Sequence, residues 1–245
     1  AGILCFVPLF NLLDYEFSLA LTLVAAPCAL LWGLFRGSRP ALEREDTAMS
    51  DVLGEIMGSL LLVLPALVLI TLNALRVPNC NYLRGLSFFL TLTVASVLYA
   101  AACGGLAARL FPNWPLRIFS VVLFIGILIG LIARRLLNEP IVTVYDHFFG
   151  YFAGSLYDES VTVNSPLVLF RVATFLRIGL LASLQIIVLR FKRSSTLGSS
   201  ALLGPLLLIA AIVWGLAAGH WGYDISREDI LQSHLTSKHT SSHAV

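Results

Sequence analysis

Charge is what this sequence has least of: Asp, Glu, Lys and Arg make up 12% of its 245 residues, whereas 58% are hydrophobic. Several long runs contain no charged residue, and they are 17–35, 56–75, 85–108, 118–133 and 201–219. Each run is close to the length that crosses a bilayer core of about 30 Å at about 1.5 Å per helical residue. The scarcity of charge therefore predicts an all-α fold, a polytopic transmembrane helix bundle whose first partner is the lipid bilayer.

One more span is predicted at 165–189 although it contains Arg171 and Arg177, because the charge-free remainder of that segment is too short to cross a bilayer. The bundle then has about six spans within residues 1–219. The polar residues 220–245 form a tail, which we expect to be the start of a further domain.

Basic residues are few and unevenly placed between the two sides. One side of the membrane receives eight basic residues, which are Arg36, Arg39, Arg44, Arg109, Arg117, Arg190, Lys192 and Arg193. The other side receives four, which are Arg76, Arg84, Arg134 and Arg135. The side richer in Lys and Arg faces the cytoplasm in most membrane proteins. We therefore expect a multi-pass protein of the cell membrane, the inner membrane of a bacterium, with both ends and the 136–164 connector extracytoplasmic.

Other absences exclude whole classes of function. The net charge of +2 leaves no basic surface for nucleic acid. The four cysteines form no CxxC pair and no Cys/His spacing suited to zinc, so no metal and no cofactor is predicted. Cys28 and Cys103 fall in apolar spans and are expected to be small buried residues, whereas Cys5 and Cys80 either form a disulfide on the outer side or stay free.

Catalytic motifs are also missing. The sequence contains no Gly-x-Ser-x-Gly and no His-Glu-x-x-His. Tyr145 and Tyr157 each precede an aspartate, as in intramembrane aspartyl proteases, but the Gly-x-Gly-Asp that those enzymes carry in the next helix is absent. No catalytic residue is therefore assigned within the chain.

What the connector does contain is unusual, because aromatic residues crowd into it: Tyr145, Phe148, Phe149, Tyr151, Phe152 and Tyr157. Amphipathic aromatic side chains favour the membrane interface, and large exposed apolar patches usually mark a contact surface. We expect the connector to be ordered, to hold the outer ends of the fourth and fifth spans, and to offer a docking surface for another domain.

The polar residues of the connector admit two interpretations. Asp146, His147, Tyr157, Asp158 and Glu159 either form a site for acid–base or metal chemistry or make the polar rim of a structural cap. Neighbouring residues of an extended chain point to opposite faces, so Asp146 and His147 are a poor pair of ligands. The structural cap is the favoured interpretation.

The arginines of the fifth span form a second candidate polar site. Arg177 lies near mid-depth, where an arginine costs about 2.5–3.5 kcal/mol on insertion scales. It either pairs with Asp158 or Glu159 of the connector or binds an anionic solute. Arg171 lies nearer the outer end, and its long side chain is expected to reach the interface. The solute alternative makes the protein a permease-like transport subunit for a small anion, although no hydropathy repeat relates its two halves.

Three segments resemble a known arrangement: Phe-Gly-Tyr-Phe-Ala-Gly-Ser-Leu-Tyr-Asp-Glu at 149–159, Leu-Phe-Arg at 169–171 and Asp-Ile-Ser-Arg-Glu-Asp at 224–229. They resemble the multi-span N-terminal region of bacterial membrane proteins that carry an extracytoplasmic gluzincin-type peptidase domain. The resemblance implies a membrane anchor or scaffold that positions such a domain, either in cis beyond Val245 or on a partner protein, with the catalytic residues outside this chain.

Overall fold

The computed structural model describes residues 10–38, 48–77, 81–111, 113–138, 144–152 and 161–192, together with Leu206, Ile209, Ile212 and Val213. The helices are α1 (Tyr15–Gly37), α2 (Ala48–Gly58), α3 (Leu64–Asn73), α4 (Tyr82–Phe88), α5 (Ala95–Leu110), α6 (Trp114–Asn138) and α7 (Ser165–Lys192). Two short strands, β1 (Val144–Asp146) and β2 (Gly150–Phe152), pair antiparallel within the connector. The protein is an all-α transmembrane bundle with one small hairpin.

Five continuous helices of the described chain are long and apolar enough to cross a membrane. A 3₁₀ turn, Ser59–Leu62, joins α2 to α3 in the second span, and a π-helical segment, Phe89–Val94, joins α4 to α5 in the third. Pro65 explains the first irregularity, because proline has no N–H to donate and crowds the carbonyl four residues earlier. The predicted sixth span, 201–219, lies mostly outside the described residues, and its four described residues are helical.

The centre of the bundle is the contact between α1 and α5, where small residues bring two backbones together. A Cβ atom on Gly33 would overlap the carbonyl of Ala101, and one on Gly104 would overlap the carbonyl of Leu30. Glycine and alanine permit this approach in lipid, where van der Waals packing rather than the hydrophobic effect holds helices together. The remaining helices are arranged around this pair.

The two ends of the bundle differ. At the end where α1, α4 and α7 begin, here called the hairpin end, Asp14 caps α1 through the Tyr15 amide and forms a 2.6 Å salt bridge with Arg84 of α4. At the opposite end, Arg117 at the start of α6 donates to the Phe111 carbonyl at 2.7 Å and to Ser38 Oγ at 2.6 Å. Polar contacts therefore join different spans at both ends.

Candidate functional site

The hairpin turn is held by its own residues. The carboxylate of Asp146 accepts hydrogen bonds from the backbone amides of Phe148 at 2.8 Å and Phe149 at 2.6 Å. Gly150 then closes the turn with φ +102°, in the left-handed region that favours glycine. One oxygen of the Asp146 carboxylate, Oδ1, is therefore occupied by the hydrogen bonds that hold the turn.

The aromatic side chains of the hairpin point into the bundle. Phe148 is 0% exposed, belongs to the core that includes Leu21 of α1 and Ala100 of α5, and packs edge-on against Phe124 of α6 at 5.9 Å. Tyr151 is buried as well, and its carbonyl accepts a 3.1 Å hydrogen bond from the Tyr15 hydroxyl. The hairpin therefore contacts the first and fourth spans deep in their interface.

The expectation that protein contacts cover the aromatic rings is confirmed for Phe148 and Tyr151, but the expectation that these two rings form an external docking surface is wrong. The reason is that the tight turn at Asp146 and Gly150 directs them inward, onto helices that the sequence places far away. Phe152 is exposed, and Tyr157 lies outside the described residues.

Burial also sets the protonation of the two hairpin phenols. Desolvation, with a further contribution from neighbouring Tyr151, raises the pKa of Tyr145 to about 12, although a hydrogen bond with Asn164 opposes the rise. Burial likewise raises the pKa of Tyr151 above its usual range. Both phenols therefore stay neutral at physiological pH.

His147 turns away from Asp146 and packs on α7. Its Nδ1 lies 2.8 Å from Thr174 Oγ1, and its ring stacks on Phe170 with centroids 4.3 Å apart. The Thr174 hydroxyl donates a hydrogen bond to the Phe170 carbonyl, so its oxygen accepts a hydrogen bond from the Nδ1–H of His147. The two neighbours therefore have different partners, and no group of three metal-ligating side chains occurs within the described part of the chain.

Arg171 is the most deeply buried charge at the hairpin end. Its side chain is 3% exposed, its Nη2 donates to Ser96 Oγ at 3.3 Å, and a Cβ atom on Gly150 would lie 3.0 Å from Nη2. Its Nε and Nη1 have no hydrogen-bond acceptor among the described residues. The expectation that Arg171 reaches the interface is wrong, because the hairpin covers this turn of α7.

Arg177, six residues further along α7, is only partly buried and lies within electrostatic range of Tyr99. The outer of the two arginines is therefore the more buried one. Asp158 and Glu159, the carboxylates expected to pair with Arg177, lie outside the described residues, so that pairing stays a prediction.

A second buried polar group, at the opposite end, was missed by the sequence analysis. Glu55 of α2 is 1% exposed, and its Oε2 accepts a 2.7 Å hydrogen bond from Nη2 of Arg109, which is 6% exposed. Arg109 Nη1 donates to Gln185 of α7, and Gln185 Nε2 donates to the Ala102 carbonyl at 2.8 Å. We call Glu55, Arg109 and Gln185 the carboxylate cluster.

One expectation fails at this cluster: Arg109 was counted among the basic residues outside the spans, but α5 continues to Leu110. Glu55 lies in α2, which begins seven residues before it and runs into the membrane span. The other seven basic residues of that set still outnumber the four on the opposite side, and the expected orientation stays a prediction. A Cβ atom on Gly105, four residues before Arg109, would overlap the Glu55 carboxylate, so the close packing at this cluster requires glycine there.

A crevice of about 300 Å³ opens beside the hairpin between Leu23 of α1 and Ile132 of α6. Phe149 and Phe152 form part of its wall, which is apolar apart from Asp146. Gly150 also lines it and lies between it and the Arg171 guanidinium. Such a lining suits lipid or other apolar groups and not a hydrated solute.

Comparison with known proteins finds no matching family model, no matching curated protein and no matching solved structure.

Proposed function

We propose that this protein is an integral membrane anchor and scaffold module, which positions a domain on the outer side of a bacterial cell membrane. The observation that carries the proposal is the insertion of the hairpin Val144–Phe152 between helices of different spans. Its side chains pack on Tyr15 of the first span, Tyr99 of the third, Phe124 of the fourth and Thr174 of the fifth. A hairpin held by four spans gives the outer end a fixed shape, which a platform requires.

The carboxylate cluster supports the same proposal from the other end. Glu55, Arg109 and Gln185 join the second, third and fifth spans through buried hydrogen bonds. Alternating access would require helices to separate at one end and then at the other. Breaking the buried Glu55–Arg109 ion pair exposes an uncompensated charge at high cost. Together with the aromatic packing of the hairpin at the other end, this pair favours a rigid body over a moving transporter.

The resemblance described for the connector and tail supplies the candidate for the positioned domain, namely a gluzincin-type peptidase domain in cis or on a partner protein. Under this proposal the chain places and orients the peptidase domain, and the catalytic residues belong to that domain.

Sidedness is the first test. In a chain whose native cysteines are replaced by alanine, Ser155→Cys and Ser241→Cys are each expected to react with a membrane-impermeant maleimide in intact cells. Ser194→Cys, in the predicted cytoplasmic loop, is the control and should react only after permeabilisation. If labelling of position 155 or 241 requires permeabilisation, that position does not lie on the outer side, and the proposed outer platform is contradicted.

The second test uses the native protein isolated from its own membranes. The purified preparation should show a peptidase activity that a metal chelator inhibits and that co-purifies with the chain. If sidedness is as expected and no such activity co-purifies, the peptidase assignment is wrong and only the anchor remains.

One observation favours a second candidate function, which is recognition of a small anion at the hairpin end. Arg171 is enclosed, and two of its donor atoms, Nε and Nη1, lack acceptors within the described residues. No hydrogen bond joins its guanidinium to Asp146 in this part of the chain, although Asp146 attracts it electrostatically. Buried guanidinium groups in proteins are normally paired, so a carboxylate or inorganic anion would complete this environment.

Thermal unfolding of the purified full chain tests this second candidate. Chloride, phosphate, acetate and succinate are added singly at constant ionic strength, and an anion present at 100 times its Kd should add about 2.7 kcal/mol to the free energy of unfolding. Arg171→Gln should abolish the increase, whereas the control Arg177→Gln should retain it. If no anion shifts the parent, or if Arg171→Gln responds as the parent does, the candidate is eliminated.

A further inference from the structure

Gly150 separates the crevice beside the hairpin from the Arg171 side chain. It lines the crevice, and a Cβ atom on it would lie 3.0 Å from Arg171 Nη2. A residue with a side chain would also be strained at this position, because φ is +102°. Only a glycine backbone therefore stands between the guanidinium and the space in the crevice.

The guanidinium of Arg171 has no hydrogen-bonded counter-charge within the described part of the chain. Its side chain is 3% exposed and contacts the Ser96 hydroxyl at 3.3 Å and the Phe170 ring at 5.4 Å, and neither group is charged. Its Nε and Nη1 have no acceptor among the described residues. Buried charges in proteins are normally paired, so this side chain points to a ligand independently of the crevice.

Asp146 supplies a negative charge on the wall of the crevice. Its Oδ1 accepts the hydrogen bonds of the turn, and its Oδ2 accepts none from the described residues. Asp146 and Gly150 lie directly opposite each other in the two strands, so their Cα atoms are about 4.5–5.5 Å apart. A negative group and a positive group thus flank the same glycine. A ligand that carries one charge of each sign matches them better than an anion alone.

The rest of the crevice wall has two parts. Phe149, Tyr151 and Phe152 contribute aromatic rings next to Asp146, and aromatic rings attract ammonium groups within about 6 Å of their centroids. Leu23 and Ile132 form the remaining, aliphatic part. The aromatic part with its carboxylate suits an ammonium group, and the aliphatic part suits a hydrocarbon chain.

The depth of these residues fits a lipid headgroup. Helix α7 has 28 residues and is about 42 Å long, so each end extends about 6 Å beyond a centred hydrocarbon core of about 30 Å. Arg171 is six residues after Ser165, or about 9 Å along the axis, which is about 3 Å inside the core boundary. Leu23 is eight residues after Tyr15, or about 12 Å along α1. The charges therefore lie near the headgroup boundary, and the aliphatic wall reaches deeper.

We propose that the crevice binds a membrane lipid with a zwitterionic headgroup, whose phosphate faces Arg171 and whose ammonium faces Asp146. One acyl chain of this lipid lies along Leu23 and Ile132. The inference rests on the second candidate function, anion recognition by Arg171, and names the class of ligand. A free solute with the same two charges gains nothing from the apolar wall, and an anionic lipid without an ammonium group places like charge beside Asp146.

Lipid retention by the full chain tests the proposal. The protein is placed in vesicles that contain equal amounts of phosphatidylethanolamine and phosphatidylglycerol with identical acyl chains. It is then extracted with a nonionic detergent, and the lipid that stays bound is quantified by mass spectrometry. Both lipids carry a phosphodiester, but only phosphatidylethanolamine carries an ammonium group. We expect the protein to retain about tenfold more phosphatidylethanolamine, a ratio that corresponds to about 1.4 kcal/mol.

Two variants separate the two charges. Asp146→Asn should remove the preference but keep the turn, because its amide oxygen can still accept from the Phe148 and Phe149 amides. Arg171→Gln should lower the retention of both lipids to the level of a chain without the site. The control Arg177→Gln should retain phosphatidylethanolamine as the parent does.

A third variant tests the acyl chain and does not depend on the folding of Arg171→Gln. Leu23→Trp places a larger side chain in the crevice from a position that is 50% exposed, and it should abolish retention. The control is Leu31→Trp, because Leu31 is 47% exposed on the same helix and does not line the crevice. Equal retention by these two variants would show that the lipid binds elsewhere and would overturn the proposal.

The remaining outcomes distinguish this inference from the anion candidate. If the parent retains both lipids equally or neither, while phosphate raises its Tm and not that of Arg171→Gln, the lipid inference is wrong and anion recognition remains. If no lipid is preferred and no anion raises the Tm, both are wrong. If the preference appears only when Asp158→Asn and Glu159→Gln are combined, the carboxylates of the connector neutralise Arg171, and the native protein does not bind the lipid.

Discussion

Phe148→Ala is expected to lower the free energy of unfolding of the bundle by about 3–5 kcal/mol, the range found when a buried phenylalanine is truncated to alanine. Phe148 is fully enclosed at the tip of the hairpin, with Phe124 of α6 and Phe149 against its ring. Its loss leaves a cavity where the connector meets the fourth span. Equilibrium unfolding of the purified protein in mixed micelles, followed by circular dichroism, measures the change.

Phe152→Ala is the matched control, because it removes the same ring two residues after Gly150 from a side chain that is 43% exposed. Surface substitutions usually change stability by no more than about 0.5 kcal/mol. We therefore expect the two variants to differ by several degrees in Tm. Equal effects would mean that the hairpin is a peripheral tether, and the platform on which the anchor proposal rests would be lost.

Arg109→Met is expected to destabilise the protein by about 3–5 kcal/mol, because it leaves the Glu55 carboxylate buried without its counter-charge. Gln185 loses a partner in the same step, since its Oε1 accepts from Arg109. The double variant, Arg109→Met with Glu55→Leu, should recover much of this loss, since apolar residues of similar volume can replace a buried ion pair at little cost. A double-mutant cycle on unfolding in micelles measures the coupling.

Arg84→Met is the control for the ion pair, because the Arg84–Asp14 salt bridge at the hairpin end is 35% and 29% exposed on its two side chains. Pairs of this kind contribute about 0.2–1 kcal/mol. One contradicting outcome is that Arg109→Met lowers the free energy of unfolding by no more than Arg84→Met does. The other is that the double variant is as unstable as Arg109→Met alone. Either result would mean that Glu55 and Arg109 do not form a buried charge pair in the membrane.

These two groups of variants bear on the same functional question from opposite ends of the molecule. The hairpin ties four spans together at one end, and the carboxylate cluster ties three spans together at the other. A scaffold needs both ends to be rigid, whereas a transporter needs at least one of them to open. Arg171 is buried without a carboxylate hydrogen-bonded to its guanidinium within the described residues, whereas Arg109 and Arg84 each have one, so its anion response is the sharpest test between the two functions.

The scarcity of charge was enough to predict the class of fold, because crossing a bilayer depends on a local property, the hydropathy of about 20 consecutive residues. The sequence also predicted that Asp146 and His147 would not act as a ligand pair, since the directions of adjacent side chains are fixed by the backbone. The structure confirms the first point, because five apolar spanning helices are described. It places the two side chains on separate partners.

Only the tertiary structure decided where each charge lies, because the environment of a side chain depends on segments far away in sequence. Arg171 was expected to reach the interface, and the hairpin encloses it; Arg109 was counted outside the spans, and it meets Glu55, 54 positions away in sequence, inside the bundle. The same holds for Phe148, whose aromatic character was evident while its inward direction was not. Hydropathy measures how much apolar surface a segment has, but the partner that covers a ring or neutralises a charge is determined by how the helices pack.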